Sequence, residues 1–407
     1  MLSKYEQKNT LLILADAFST TYFSQKHTPF LYELSRNGIV TSIEPLFAFK
    51  GIETTIFTGL WPKDHNIWTE FCFADNPTVK KMDLCKAVTA AVDLLPNDLL
   101  NSRLRYVLER YVFQSPHNTP SLIPAASLSY FCPSQERGIT EPRTLGNINT
   151  IFDIFRKEKI KYVFIEPGIC GDWGVLSKAK KLIKQRHKTR FWYLKFNILD
   201  HVGHKFGPSP ILFRESLKKI DRYIEEVVAL FQRKNPNLNI LILADHGMSK
   251  VHKTVNILKE LRQLKSRMYT DYVVFLDSTI ARFRFFTKKA EKEICEHLYQ
   301  IKDGHIITNS EKQLLKMPSD LKYGEVIFAI DEGCILHPCF FHSRTRVNGM
   351  HGYAYPKTDE ALPIIIMNDQ FAQEHQTNVK YTYRDISRLI INSLLPDSLG
   401  ELSILSG

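Results

Sequence analysis

The chain has 407 residues, 44% of them apolar and 24% charged, with a formal net charge of +11. This composition excludes a disordered chain or a coiled coil, and the length suits about two to three domains or one large α/β domain with additions. The basic excess favours anionic partners: a phosphate-bearing substrate, nucleic acid or an acidic membrane surface.

The first apolar run, Leu11–Ala15, is too short for a signal-peptide core. No stretch approaches the roughly 18 apolar residues of a membrane span, so no transmembrane segment is expected. Seven cysteines (Cys72, Cys85, Cys132, Cys170, Cys295, Cys334 and Cys339) are scattered, odd in number and without a CxxC pair. They read as reduced thiols in a cytoplasmic protein.

Leu11–Ala15 reads as a buried parallel strand. Thr28-Pro29 opens a helix that Gly38 closes, Ile39–Ile43 is a second strand, and Ile52–Leu60 has helical spacing. Residues 71–145 hold seven prolines and an amphipathic stretch, Asp98–Val112, and read as an insertion or cap. The β/α alternation resumes with helix Ile151–Lys157, strand Tyr162–Ile165, strand Arg190–Leu199, helix Ser209–Phe231 and strand Leu238–Ala244. Residues 255–345 break it again. Tyr272–Leu276 and Ile280–Phe286 read as a hairpin, Lys288–Tyr299 as a helix, and Glu325–Ile330 with Cys334–His337 as a second strand pair. Leu362–Met367 and Asp385–Leu394 close the core as strand and helix. The expected organisation is a core of residues 1–70, 146–254 and 346–407, interrupted by an insertion at 71–145 and a small α+β insertion at 255–345. The stretch Ser177–Arg190 carries seven basic residues but no interleaved aromatics. A solvated helix face is its simplest reading, and no specific nucleic-acid binding is expected.

Four segments place Asp or His at the end of an apolar strand or in a Gly-bounded loop. They are Asp16 after LLILA, Asp200-His201-Val202-Gly203-His204 after FWYLKFNIL, Asp245-His246-Gly247 after LNILILA, and His351 in GMHGY. In open α/β sheets the carboxyl ends of the strands form the binding crevice. Asp16, Asp200, His204, Asp245, His246 and His351 supply six nitrogen and oxygen donors, enough for two divalent ions. Imidazole with carboxylate suits zinc, with manganese the alternative. Two such ions can clamp the attacking and leaving oxygens of a phosphoryl displacement. Gly203 is expected to let a loop turn sharply between Asp200 and His204. His201 lacks the position of a ligand.

Asp16-Ala17-Phe18, DHVGHKFGP (Asp200–Pro208), ADHGM (Ala244–Met248) and GMHGY (Gly349–Tyr353) together resemble the alkaline phosphatase superfamily, in its type I phosphodiesterase/nucleotide pyrophosphatase branch. Thr58–Ile67 (TGLWPKDHNI) resembles that branch as well. The resemblance implies a central, mostly parallel sheet between helix layers, with the two insertions forming a cap or small α+β lobe. It implies one metal on Asp200, His204 and His351, and a second on Asp16, Asp245 and His246 together with a nucleophilic side chain at a helix N-terminus.

At the nucleophile the sequence departs from the branch. The usual spacing before Thr58 lands on Phe49, or on Gly51 if the match slides, and neither can attack phosphorus. Thr54 is the nearest shifted candidate, although a Thr inside a helix commonly bonds its own backbone. Direct attack by water is the other route. Lys50 and Lys205, with Arg344 or Arg346, are candidate contacts for an anionic substrate. The expected function is a two-metal phosphoric ester hydrolase, a phosphodiesterase/nucleotide pyrophosphatase-like enzyme acting on a phosphorylated small molecule, with an atypical or missing side-chain nucleophile. The alternatives are a metal-binding pseudoenzyme and a phosphoryl or head-group transferase of the same superfamily.

Overall fold

The structure is a computed structural model that describes residues 8–75, 90–92, 94, 98–107, 121–168, 170–185, 188–234, 237–342, 345–373 and 380–396. Cys85, Arg344 and the last part of the expected helix over 98–112 lie outside the described residues.

Six strands form the central sheet: β1 (Asn9–Ala15), β2 (Ile39–Ser42), β3 (Tyr162–Ile165), β4 (Phe191–Phe196), β5 (Leu238–Leu243) and β6 (Ile364–Met367). Their order is β2-β6-β5-β1-β4-β3. β1 runs parallel to both β4 and β5, and β3 parallel to β4, while β6 is antiparallel to its neighbours β2 and β5. The central strands are apolar on both faces because both are covered. Leu12, Leu14, Phe191, Tyr193, Leu241 and Leu243 pack with helices α2 (Lys50–Thr58), α3 (Ile151–Lys157) and α7 (Tyr383–Leu394). Their sequence neighbours Leu11, Ile13, Trp192, Leu194, Ile240 and Ile242 pack on the opposite side. There they meet α1 (Pro29–Leu34), α4 (Gly171–Gln185) and α6 (Pro210–Gln232). This is the expected mostly parallel α/β sheet between two helix layers.

Strand β4 ends earlier than its apolar run. Asp172, at the start of α4, accepts hydrogen bonds from the backbone N–H groups of Asn197 (2.8 Å) and Ile198 (3.1 Å). That carboxylate satisfies donors a helix leaves open at its N-terminus. Helix α5 (Ile198–Phe206) therefore begins there. Asp200 and His204 lie one turn apart on it, not in a loop. Gly203 serves close packing instead of a turn, because a Cβ on it would meet Met248 Cε at 2.6 Å.

Beyond the core, Phe71–Phe73 pairs antiparallel with Phe131–Pro133, and Asp98–Val107 is a helix. Tyr272–Leu276, Ile280–Phe285, Val326–Ile330 and Gly304–Ile306 form a second, antiparallel sheet. The expected pairing of Cys334–His337 with Glu325–Ile330 does not occur. Gly333, at φ +84°, turns the chain away, and Cys334–Leu336 runs parallel to Lys253–Val255. One apolar cluster joins Phe71, Phe73 and Phe131 to Phe275, Phe283 and Phe328, and reaches Met350 and Tyr353 on either side of His351.

Candidate metal centre and its surroundings

Strand register puts three charged side chains side by side. Leu14 of β1 pairs with Lys195 of β4 and with Leu243 of β5. Asp16 and Asp245 each follow two residues beyond that level. Side chains alternate along a strand, so Asp16, Lys195 and Asp245 leave the sheet on the face of Leu14, Tyr193 and Leu243, toward α2. Lys195 Nζ lies 3.1 Å from Asp16 Oδ2 and 3.5 Å from Asp245 Oδ2. Burial works against its charge, and the two carboxylates more than offset this and keep it an ammonium.

Helix α5 brings Asp200 and His204 to the same point, with His204 Nε2 3.2 Å from Asp200 Oδ1. His351 Nε2 lies 3.6 Å from that same oxygen. His351 follows Gly349-Met350, which pairs with Ser249-Lys250 just beyond β5. His246 Nε2 lies 3.1 Å from Asp16 Oδ1 and 3.8 Å from Asp245 Oδ1. The His246 and His351 rings stack with centroids 3.5 Å apart. Tyr383 of α7 donates its hydroxyl to the carbonyls of Ala244 (3.0 Å) and Asp245 (2.5 Å), which holds the bent turn after β5.

Two imidazoles are oriented from behind. His204 Nδ1 lies 2.9 Å from the Gly349 carbonyl, and His246 Nδ1 2.8 Å from the Gly247 carbonyl. A carbonyl only accepts, so Nδ1 carries the proton and Nε2 faces the carboxylates, the arrangement that metal-bound histidines adopt. Asp16 Oδ1 and Asp200 Oδ1 are buried and take no hydrogen bond, although imidazole nitrogens lie close by. Donors facing one another without hydrogen bonds suit a shared cation. Among the described residues, Asp200, His204 and His351 form one such group, and Asp16, Asp200 and His246 another, each with ligand atoms within 4.8 Å of one another. Asp200 belongs to both. Asp245 belongs to neither and lies beside Lys195. Burial first, then Asp16, raise the Asp245 carboxyl to about 6. Against burial, Asp245 and Asp16 raise His246 to about 10.

The other sequence candidates sit as follows. Phe49 precedes α2, and a Cβ on Gly352 would meet its ring at 2.6 Å, so the ring covers the residue after His351. Thr54 is fully buried and donates its hydroxyl to the Lys50 carbonyl at 3.3 Å. Lys50 is ion-paired with Glu53 on its own helix. Lys205 lies over the Phe206 ring at 4.9 Å. Arg346 lines a separate hollow with His252, Lys253 and His337. His201 Nδ1 lies 3.0 Å from the Asn197 carbonyl. Sequence reasoning missed Lys195 and Tyr383. A lysine inside the otherwise apolar FWYLKF run was the available signal for the first.

The profile of the type I phosphodiesterase/nucleotide pyrophosphatase family matches residues 10–354. The chain belongs to that family. Curated relatives include the ectonucleotide pyrophosphatase/phosphodiesterase family member 7 proteins of Mus musculus and Homo sapiens. They are 30% identical over 80 residues and 32% over 81, in each case 19% of this chain and 18% of the relative. The match thus spans about a fifth of those relatives' length. Murine and human ectonucleotide pyrophosphatase/phosphodiesterase 5 share the fold at a TM-score of 0.64, with 15% and 14% identity. Each comparison covers 95% of this chain, and 95% and 94% of the murine and human chains. A further murine structure of that protein is an inactive variant in complex with AMP, at the same TM-score and 14% identity. Among the described residues, no helix is long and apolar enough to cross a membrane.

Proposed function

We propose that this member of the family is a metal-dependent hydrolase of phosphoric esters, with a nucleotide-type phosphodiester as its substrate class. The observation that carries the reading is the meeting of Asp16, Asp200, Asp245, His204, His246 and His351, from four separate segments, with imidazole Nε2 atoms 3.1–3.8 Å from carboxylate oxygens. Asp200, His204 and His351 would hold one divalent ion; Asp16, Asp245 and His246 are the ligands available to a second. Zinc fits this donor set, and manganese is its alternative. A bound divalent ion would supply Lewis acidity toward a phosphoryl oxygen and would acidify water.

The protein's own groups do the positioning. Asp172 and the Gly349 carbonyl set Asp200 and His204 on α5, and Tyr383 sets the Asp245 turn. The ligands are partly exposed, His204 at 22% and His351 at 23% of the side chain, so a substrate phosphate can reach them. The AMP complex of the murine neighbour supports a nucleotide-type substrate. With Phe49 where the branch keeps its nucleophile and the Thr54 hydroxyl engaged inside α2, water is the attacking group. We read residues 71–145 and 255–345 as insertions that set specificity. Their shared apolar cluster reaches Met350 and Tyr353, beside His351.

A second reading, a metal-bound protein that holds a phosphorylated ligand without turnover, rests on Phe49 alone. Hydrolysis of bis(4-nitrophenyl) phosphate by the full chain with added Zn²⁺ or Mn²⁺ separates the two. Turnover lost in His204→Ala supports the hydrolase. Bound metal with no turnover of this diester or of a nucleotide diester supports the second reading.

A further inference from the structure

The family resemblance assigns Asp16 and Asp245 to a second metal, and both carboxylates already share a cation of the chain's own. Lys195 Nζ bridges one oxygen of each, Asp16 Oδ2 at 3.1 Å and Asp245 Oδ2 at 3.5 Å. The bridge follows from the fold. Lys195 pairs with Leu14 on the adjacent parallel strand, two residues before Asp16, and leaves the sheet on the same face. Its four-carbon stem then reaches the level of the two carboxylates, which an alanine or a valine there could not do. Lysine supplies a compact positive charge with three donors.

We propose that the Lys195 ammonium supplies the positive charge between Asp16 and Asp245, so that the protein binds one divalent ion tightly, on Asp200, His204 and His351. Two further observations support this. The remaining carboxylate oxygens, Asp16 Oδ1 and Asp245 Oδ1, face His246 Nε2. A second ion placed there would share both carboxylates with the ammonium at short range and be repelled by it. The two groups of donors also have Asp200 in common. An ion drawing Asp200 toward His204 and His351 leaves the other group with Asp16 and His246, and with Asp245, whose Oδ2 lies beside Lys195. Three carboxylates balance one divalent ion and one ammonium. A second divalent ion would take the balance against these three carboxylates from zero to +2 beside the ammonium, with Glu53 the further carboxylate acting on Lys195.

The inference rests on the metal-dependent reading above and is tested by metal content, independently of turnover. The full chain is dialysed against micromolar Zn²⁺ and weighed by native mass spectrometry, with a parallel calorimetric Zn²⁺ titration. One tight equivalent is expected, lost in His204→Ala and kept in His246→Ala. Lys195→Met, of similar length and without charge, should bind a second equivalent at least about 10-fold more tightly than the parent chain. Two tight equivalents in the parent chain would overturn the inference and leave the hydrolase reading intact. A parent chain that binds no zinc or manganese would overturn both. If Lys195→Met does not fold, the parent stoichiometry and the contrast between His204→Ala and His246→Ala still decide the matter.

Discussion

Thr54 and Phe49 separate the routes of attack. Thr54 sits a turn inside α2 with its hydroxyl on the Lys50 carbonyl, a common habit of a helical threonine. Thr54→Val keeps the shape and removes only that bond, so kcat/KM for the diester should stay within about 3-fold of the parent. A fall on the order of 10²-fold would make Thr54 a direct participant. His204→Ala removes a donor whose Nδ1 is fixed by Gly349. It should cost at least about 10²-fold in kcat/KM, alongside its loss of metal. All six proposed ligands were legible in the sequence, because each follows an apolar strand or lies in a motif with glycine. Lys195 was not. A lone lysine in an apolar run says nothing of its partners until strand register sets it beside Asp16.

Helix α5 shows how a local cap shapes the site. The run FWYLKFNIL reads as one strand, yet the chain turns helical at Ile198 because Asp172, distant in sequence, accepts the Asn197 and Ile198 N–H groups. A cap supplied from another element leaves no pattern within the segment it caps, so the apolar run alone predicts a strand to Leu199 where the strand ends at Phe196. Asp172→Ala should lower stability to urea by about 0.5–2 kcal/mol, the usual range for losing an N-cap. It should also weaken metal binding, since Asp200 and His204 ride on that helix. Unchanged metal affinity would show that α5 holds its ligands without the cap. The turn after β5 tolerates no side chain at its glycine, because a Cβ on Gly247 would lie 2.2 Å from the Glu360 carbonyl oxygen and 2.7 Å from Ala361 Cα. Those are backbone atoms with little freedom to yield. Gly247→Ala should displace His246 and lower Tm, while the tight Zn²⁺ equivalent on Asp200, His204 and His351 is kept, as in His246→Ala.

The sheet itself was the most legible feature, since strands covered on both faces carry continuous apolar runs. The antiparallel setting of β6 was not, because LPIIIM looks the same in either direction. Residues 71–145 and 255–345 break the β/α alternation in the sequence, which says nothing of their contact with each other. Their shared cluster rests on contacts between residues some 200 positions apart, such as Phe71 with Phe275, whose ring centroids lie 5.7 Å apart. A ligand that binds only the folded chain stabilises it by mass action, about 2.7 kcal/mol at a hundredfold excess over Kd. Chelation of the metal-loaded protein should therefore lower Tm by several degrees, and the shift should vanish in His204→Ala.

Diester hydrolysis by the purified full chain, followed as metal is stripped and returned, tests whether the Asp and His cluster is a working metal centre. Turnover of bis(4-nitrophenyl) phosphate should disappear on chelation, return with Zn²⁺ or Mn²⁺, and remain at least about 10²-fold down in His204→Ala under the same loading. Turnover that survives chelation, or that is equal in His204→Ala and the parent, would contradict a metal-dependent hydrolase built on these residues.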